Sequence, residues 1–458
     1  MARATDKGSD ETANNNKNIL SIPSSFKIHA VDGFTSPAPH IEQDIRKNLD
    51  FPSLSTYSSY SISTSSNSTY EQAGVEDAIA PVPGELNILA KLKGQFYGTG
   101  LNMIFRPSFG NNRRNNVLEY NVTEEVTQFL EDIGDVPNRG LGKQQDVIVK
   151  AVPYMQHIKD FLNRETGQAD REHGIPIHFE TGIFCRTPPT TVRPEVFQGT
   201  ISRMASIPHG TAINCQGFEP DMSQPIPGKP VFTPVSVLPF PMGTPADQET
   251  FLDFFPQLNV QRKFNLRIPQ EIKPGGVLTA PLMLDPNQLL VQFNENSTKK
   301  NIKEHYFFKV HSDPAVSGIP GGGTANTAFL AGSGVPGQQN SGANANGAKV
   351  GCHYWISTVE YDVLLPDGDF STQPQEFIID SEARKEEIAE GRWIVSPSFL
   401  VTLDRNIPAN TLVKFEATQI QYSQNVTLDF DSMGWPHVSV ATLSPKNPVP
   451  IELSQVVF

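Results

Sequence analysis

From residue 176 onward, β-branched and apolar residues alternate with polar ones over short segments that Gly, Pro and Asn interrupt. A period of two is that of β-strands, and turn residues at this spacing are typical of an antiparallel sandwich or barrel. An earlier strand is predicted over 95–105, where glycines mark bends of the kind that turn a barrel corner. The remaining predicted strands cover 177–185, 196–204, 211–218, 258–268, 278–284, 289–294, 305–310, 353–365, 393–404, 411–421, 424–430 and 437–443.

Two longer segments show apolar residues at helical spacing instead. Residues 122–134 predict an amphipathic helix. Its apolar stripe consists of Val126, Phe129, Leu130 and Ile133. A second helix is predicted over 146–163, where Pro153 limits its regularity. Short helices are predicted over 85–93 and over 381–390, the latter capped by Ser381.

These elements predict a mainly β fold, an antiparallel sandwich or barrel with insertions. Residues 81–458 form the barrel domain, interrupted by a helical insertion over 106–175, a Pro-rich excursion over 219–248 and a Gly/Asn-rich loop over 312–350. Residues 1–80 are rich in Ser, Thr and Tyr and are predicted to be disordered. A solvated tail and a docking arm in a homodimer both fit this composition.

The charge of the chain argues against two classes of partner. The 458 residues carry a formal net charge of −13, which repels phosphate backbones and anionic lipid. No run of 18 apolar residues is present, so no membrane-spanning helix is expected. We therefore expect neither nucleic acid nor membrane as a partner, and a small molecule as the ligand.

The N-terminus and the cysteines indicate the compartment. Residues 1–18 are polar and lack the apolar core of a secretory signal. Cys185, Cys215 and Cys352 are too few and too scattered for a disulfide framework or a cysteine metal site. Both features predict a reducing, cytoplasmic location.

Common enzyme signatures are absent from the sequence, namely a dinucleotide loop, a P-loop, a GxSxG elbow, HExxH and paired CxxC. Gly98 and Gly100 form a strand-bend pair, because no helix start follows them to hold a pyrophosphate. A hydrolase or a nucleotide enzyme is therefore not predicted.

The last predicted strand carries the candidate anchoring group. Alternation places His437, Ser439, Ala441 and Leu443 on one face. A histidine that leads a face of small and aliphatic residues suits a flat ligand with the imidazole as its anchor. A structural histidine at the start of a strand is the alternative.

Three ordered fragments of the chain, two of them made of several pieces, resemble the nitrobindin-like haem-binding β-barrels, a calycin group, and the resemblance implies an antiparallel calycin-like β-barrel. They include a Gly-x-aromatic-x-Gly-x-Gly strand from Gly94 to Gly100 and a Pro-His-x-x-x-Ala-x-Leu strand from Pro436 to Leu443. The pieces of these fragments are Leu92–Gly100, Phe179–Arg186, Ile201–Thr211, Asn214–Gly217, Leu412–Phe430 and Trp435–Leu443. The chain looks like an enlarged fungal or bacterial relative, described as haem-binding and peroxidase-like.

This resemblance implies a b-type haem with His437 as the proximal iron ligand, a role that imidazole commonly fills. Ala441 and Leu443 would form the pocket wall on the same face. His209 would lie on the distal side, where it could exchange a proton with bound peroxide, and Thr211 would offer a hydroxyl there. The implied activity is peroxidase-like or directed at nitric oxide or peroxynitrite.

Arg203 and Arg186 lie on the predicted strands that flank the turn at Pro208–Gly210. Either could pair with a haem propionate, and Arg203 could also assist catalysis; surface ion pairs are the alternative. Two further hypotheses remain open for the whole chain. One is a haem-free calycin-type pocket that binds or cyclises a hydrophobic metabolite. The other is a β-rich assembly protein whose N-terminal arm mediates oligomerisation.

Overall fold

A computed structural model describes residues 84–107, 115–140, 146–163, 166–168, 170, 172–190, 198–208, 210–241, 265–267, 281–282, 285–326, 346–430 and 433–452. The predicted arm over 1–80, His209, and most of the predicted strands 258–268 and 278–284 lie outside these residues. Residues 327–345 of the predicted Gly/Asn-rich loop do so as well. The chain divides into Met1–Glu76 and Asp77–Phe458, and every described residue belongs to the second unit.

The described strands in chain order are β1 Gly94–Pro107, β2 Asn115–Phe129, β3 Val136–Asn138, β4 Val147–Asp160, β5 Ile175–Thr187, β6 Thr200–Ser206, β7 Thr211–Phe218, β8 Ile226–Pro227, β9 Phe240–Pro241, β10 Asn265–Arg267, β11 Lys300–His311, β12 Gly323–Asn326, β13 Asn346–Leu364, β14 Gly368–Asp369, β15 Gln375–Asp380, β16 Ser398–Leu403, β17 Asn406–Ile407, β18 Leu412–Phe430, β19 Met433–Pro445 and β20 Val449–Ile451. The described helices are a 3-10 helix at Asn87–Lys91, α1 Gln288–Glu295, α2 Pro314–Ser317 and α3 Glu382–Ala389.

Ten of these strands close into an antiparallel barrel in the order β1-β2-β4-β5-β6-β7-β11-β13-β18-β19. The ring is closed because β1 pairs with both β2 and β19, while β2 pairs in turn with β4. Closure satisfies the backbone groups that a sheet edge would leave open. The predicted antiparallel β-barrel is confirmed.

The predicted helical insertion over 106–175 is wrong. The segments predicted as helices, 122–134 and 146–163, form most of β2 and β4 and are part of the barrel wall. Of the predicted apolar stripe, Phe129 is buried, whereas Leu130 and Ile133 are 39% and 47% exposed. The side chains of β2 that face the barrel interior are mostly polar here. The alternation of polar and apolar residues is therefore reversed relative to an ordinary strand, whose buried face is apolar. The helical spacing of the four apolar residues therefore did not indicate a helix.

The predicted strand over 289–294 is also wrong, because this segment belongs to helix α1. A short apolar run does not distinguish a strand from a buried helix turn. Leu290 at its start is fully buried against the outer face of the barrel. The predicted helix at 381–390 is confirmed as α3, with the Ser381 hydroxyl accepting from the Arg384 amide at 3.2 Å.

Three hydrophobic clusters define the layers of the fold. The 3-10 helix plugs one end of the barrel with Ile88 and Leu89, which pack with the inner cluster. A second cluster covers the outer face of β1, β2 and β19, where the Pro-rich segment contributes Val237 and Leu238. A third joins the protruding ends of β13 and β18 to β15 and β16 and includes Phe399. The candidate site lies at the end of the barrel opposite the 3-10 helix.

Gly100 is required by the close approach of β1 to β19. A Cβ atom at Gly100 would lie 1.8 Å from the Val440 carbonyl oxygen, and one at Gly98 would lie 1.9 Å from that of Thr442. The two glycines predicted as strand bends therefore bring β1 directly against the strand that carries His437.

Candidate ligand-binding site in the barrel mouth

A cavity of about 300 Å³ lies inside the barrel at the end away from the 3-10 helix. Its walls mix apolar residues such as Ile104, Val426 and Leu428 with polar side chains. This volume falls at the small end of the range of ligand pockets, which is roughly 300–1,000 Å³. We call it the mouth cavity.

His437 lies in the wall of the mouth cavity and belongs to a connected polar cluster. Its Nε2 is 2.9 Å from Asn102 Oδ1, which also accepts from Asn121 Nδ2 at 3.1 Å. Asn102 Nδ2 donates to Ser439 Oγ at 2.8 Å. With Asn102 oriented this way, His437 Nε2 carries the proton and donates it. The register of β1 brings Asn102 opposite both Asn121 and Ser439, so backbone pairing assembles this cluster.

Ala441 and Leu443 lie on the same inward face as His437, but deeper in the barrel. Both are buried in the inner hydrophobic cluster below the mouth cavity. Leu443 borders a second cavity of about 20 Å³, which is large enough for one water molecule.

Beneath the mouth cavity, the small second cavity is bordered by a buried carboxyl group, that of Glu125, and we call this layer the floor of the mouth cavity. Its Oε1 accepts from Thr127 Oγ1 and from Gln156 Nε2, both at 2.7 Å. Its Oε2 is 2.5 Å from the Tyr422 hydroxyl. Burial raises the pKa of Glu125, and the hydrogen bonds from Thr127, Tyr422 and Gln156 oppose that rise.

A second buried carboxyl group, that of Glu180, is paired with Arg203, a cation that borders the same small cavity. Arg203 donates from Nη2 to Glu180 Oε1 at 2.7 Å and from Nη1 to Gln424 Oε1 at 2.5 Å. The Tyr154 hydroxyl also contacts Glu180, and His178 Nε2 is 3.2 Å from its Oε2. Burial alone would raise the pKa of Glu180, but the charge of Arg203 and the His178 contact outweigh it and lower the pKa to about 2.

The residues predicted for the site are distributed over both ends of the barrel. Thr211 lines the mouth cavity, and its hydroxyl donates to the Ala212 carbonyl at 3.1 Å. Arg203 borders the small second cavity, below the mouth cavity. Arg186 is near the plugged end, where its Nε donates to Glu219 Oε2 at 2.5 Å. The structure thus groups Thr211 with His437, places Arg203 beneath them and separates Arg186 from them.

Two other strand histidines differ in position. His178 lines the mouth cavity and links it to Glu180. His353 packs on the outer side, with ring centroids 5.6 Å from Phe307 and 5.9 Å from Trp355. His353 therefore packs among aromatic side chains and does not line the mouth cavity.

Sequence reasoning missed the two buried carboxyl groups and Tyr422. In a strand, one face of this segment carries Thr123, Glu125 and Thr127. Because the segment was interpreted as a helix, this shared face was not recognised. Glu180 alternates with His178 on a strand that was predicted, so the spacing of two already placed a carboxylate beside that imidazole. Nothing local in the sequence indicates that Tyr422, almost 300 positions from Glu125, contacts it.

Among the described residues, no group of three or more His, Cys, Asp and Glu side chains is arranged to hold a metal ion. Within the same part of the chain, no helix is long and apolar enough to cross a membrane.

Comparison with known proteins yields one similar structure. No protein family matches the chain, and no curated protein does so. The structure titled "Crystal Structure of Rv2717c from M. tuberculosis" is 9% identical in sequence. The match covers 79% of this chain and 97% of that chain, with a TM-score of 0.28.

Proposed function

We propose that the mouth cavity binds a small-molecule ligand anchored at His437, and that b-type haem is this ligand. The observation that carries the proposal is the position of His437, which points inward from the last barrel strand into a cavity with apolar walls. Membership of the nitrobindin-like group and a cytoplasmic location are part of the same proposal.

The residues around His437 fit an axial ligand. A neutral imidazole binds haem iron, and a hydrogen bond to one ring nitrogen commonly fixes the orientation of such a ligand. Asn102 supplies that bond at 2.9 Å. Ligation of the iron through Nδ1 would keep this hydrogen bond, whereas ligation through Nε2 would replace it. The apolar side chains of Ile104, Val426 and Leu428 suit the faces of a macrocycle.

The chemistry that bound haem would supply is peroxidase-like turnover or reaction with nitric oxide or peroxynitrite. The chain contributes the orientation of His437 through Asn102 and a low-dielectric floor. Arg203 does not reach the mouth cavity as a free cation, because Glu180 and Gln424 hold its guanidinium. A role for His209 on the distal side stays a prediction.

An absorption spectrum tests the proposal. We expect the protein from haem-replete cells, or after hemin addition, to show a Soret band that His437→Ala abolishes. His353→Ala is the matched control, since it removes an imidazole that packs on the outer face of the barrel. A colourless wild-type protein that takes up no hemin contradicts the proposal, and so does an unchanged Soret band in His437→Ala.

A second candidate is a haem-free pocket that binds or cyclises a hydrophobic metabolite. The observation that favours it is the composition of the wall: among the described lining residues none is Lys or Arg, the usual partners of propionates. This candidate predicts that His437→Ala leaves ligand binding intact, so the same variant separates the two functions.

A further inference from the structure

The two buried carboxyl groups of the floor differ in their charge partners. Glu180 is held by Arg203, whereas Glu125 forms no ion pair with Lys or Arg in the described part of the chain. The ionisable side chains around Glu125 include His178 and Tyr422, and Arg203, which is paired with Glu180, borders the same small cavity. A buried carboxylate without a paired cation is disfavoured, and burial raises the pKa of Glu125, so this environment favours the protonated form.

A neutral Glu125 changes the direction of its hydrogen bond with Tyr422. The carboxyl proton needs an acceptor, and Oε1 is already approached by two donors, Thr127 Oγ1 and Gln156 Nε2. Among the described residues, Oε2 has the Tyr422 hydroxyl as its hydrogen-bond partner, at 2.5 Å. In the protonated form of Glu125, the proton on Oε2 would be donated to the Tyr422 oxygen, which would leave the hydroxyl hydrogen of Tyr422 for another acceptor.

Tyr422 is placed to use that hydrogen toward a ligand. It lines both the mouth cavity and the small cavity beneath it. A tyrosine hydroxyl that accepts a short hydrogen bond becomes a stronger donor through cooperative polarisation. A fixed donor at a low-dielectric surface stabilises an oxygen that carries negative charge much more than water-exposed donors do.

We propose that Tyr422, supported by neutral Glu125, donates a hydrogen bond from the floor of the mouth cavity to the carbonyl or phenolate oxygen of a planar ligand. The inference rests on the part of the proposed function that assigns ligand binding to this cavity, and it is independent of haem. Apolar walls, formed in part by Ile158 and Val426, suit the ring or chain attached to that oxygen.

Titration with 4-nitrophenol tests the inference, because its phenolate has its own absorption band. We expect saturable binding to the wild-type protein with the phenolate form favoured. Tyr422→Phe should weaken binding by about tenfold to a hundredfold, the effect of losing one hydrogen bond to a charged group. Tyr354→Phe is the matched control: Tyr354 is directly opposite Tyr422 in the β13–β18 register but does not line the mouth cavity.

Glu125→Gln distinguishes the neutral from the ionised carboxyl group. A glutamine amide reproduces the neutral acid, since it can donate to the Tyr422 oxygen and accept from Thr127 and Gln156. We expect affinity within about threefold of wild type. A tenfold loss in Glu125→Gln overturns the inference, because it shows that the ionised carboxylate is required. This variant decides the question even if Tyr422→Phe does not fold.

Two other results also overturn the inference. One is equal affinity of Tyr422→Phe and wild type for 4-nitrophenol. The other is no binding of 4-nitrophenol by the wild-type protein, whether or not a Soret band appears. The Soret band itself reports separately on His437 and the haem proposal.

Discussion

Glu125 and Glu180 show how one neighbour sets the state of a buried group. Both carboxyl groups are fully buried in the same barrel interior. Burial raises the pKa of Glu125, whereas Arg203 at 2.7 Å overcomes burial for Glu180 and keeps it ionised. The floor of the mouth cavity thus combines a hydrogen-bond donor with a neutralised ion pair.

The Glu180–Arg203 pair predicts a fall in stability with acid. The pKa of Glu180 is lowered from 4.5 to about 2 in the folded protein, so between these values the unfolded chain binds a proton that the folded protein does not. The free energy of unfolding should therefore decrease as the pH falls through this window, by about 3 kcal/mol for this group.

Urea denaturation measured from pH 5 to pH 2 checks this expectation. The double variant Arg203→Met, Glu180→Gln is the control, since it removes both charges together. Its unfolding free energy should fall less steeply over the same window. An equal slope in the double variant and the wild-type protein would contradict the assignment of Glu180.

At the scale of elements, the pairing of β1 with β19 positions the residues of the site. Glycines in β1 allow the backbone of β19 to approach, and the resulting register sets Asn102 opposite Ser439 and next to His437. Strand β2 then supplies Asn121 and Glu125 from its polar inward face. The site is built by adjacent strands rather than by a single motif.

Gly100→Ala should therefore disturb the site through the β1–β19 pairing. The added Cβ would lie 1.8 Å from the Val440 carbonyl oxygen, so the strands must separate. We expect a loss of about 3 kcal/mol in the free energy of unfolding, at the upper end of overpacking effects. Chemical denaturation provides the measurement.

Gly210→Ala is the matched control for this substitution. A Cβ at Gly210 would have its nearest neighbour at 3.5 Å, an ordinary van der Waals contact. The unfolding free energy of Gly210→Ala should remain close to wild type. A Gly100→Ala protein as stable as Gly210→Ala would show that the close approach is not required.

At the scale of the whole molecule, the barrel has one plugged end and one that opens to the mouth cavity. The 3-10 helix and Arg186 close the first: Arg186 bonds both Glu219 and the Glu85 carbonyl just before that helix. The Pro-rich segment and α1 cover the outer face of the strands near the mouth. The proposed ligand would therefore enter at the end where His437 lies.

Homodimerisation through residues 1–80 stays a prediction at this scale. The Ser/Thr/Tyr-rich composition motivates it. Light scattering coupled to size exclusion should give a dimeric mass for the full chain and a monomeric mass for a chain that begins at residue 81. If both chains have the same number of subunits, residues 1–80 are not required for dimerisation.

The sequence by itself determined the β-barrel class and the inward position of His437, because a period of two decides which side chains share a face. It also placed α3 through its Ser381 cap. The helix predicted over 122–134 is wrong because polar residues of this segment face the barrel interior, which reverses the usual strand pattern. The helix predicted over 146–163 is wrong as well, since this segment forms β4.

Only the tertiary structure brought Glu125 to Tyr422 and Glu180 to Arg203. These contacts join strands distant in sequence, and their geometry depends on ring closure and strand register, which no local pattern encodes. The charge state of each carboxyl group depends in turn on burial and on one neighbour. The proposed anchor, His437, was therefore predictable from one strand, whereas the floor of the site depends on the closed barrel.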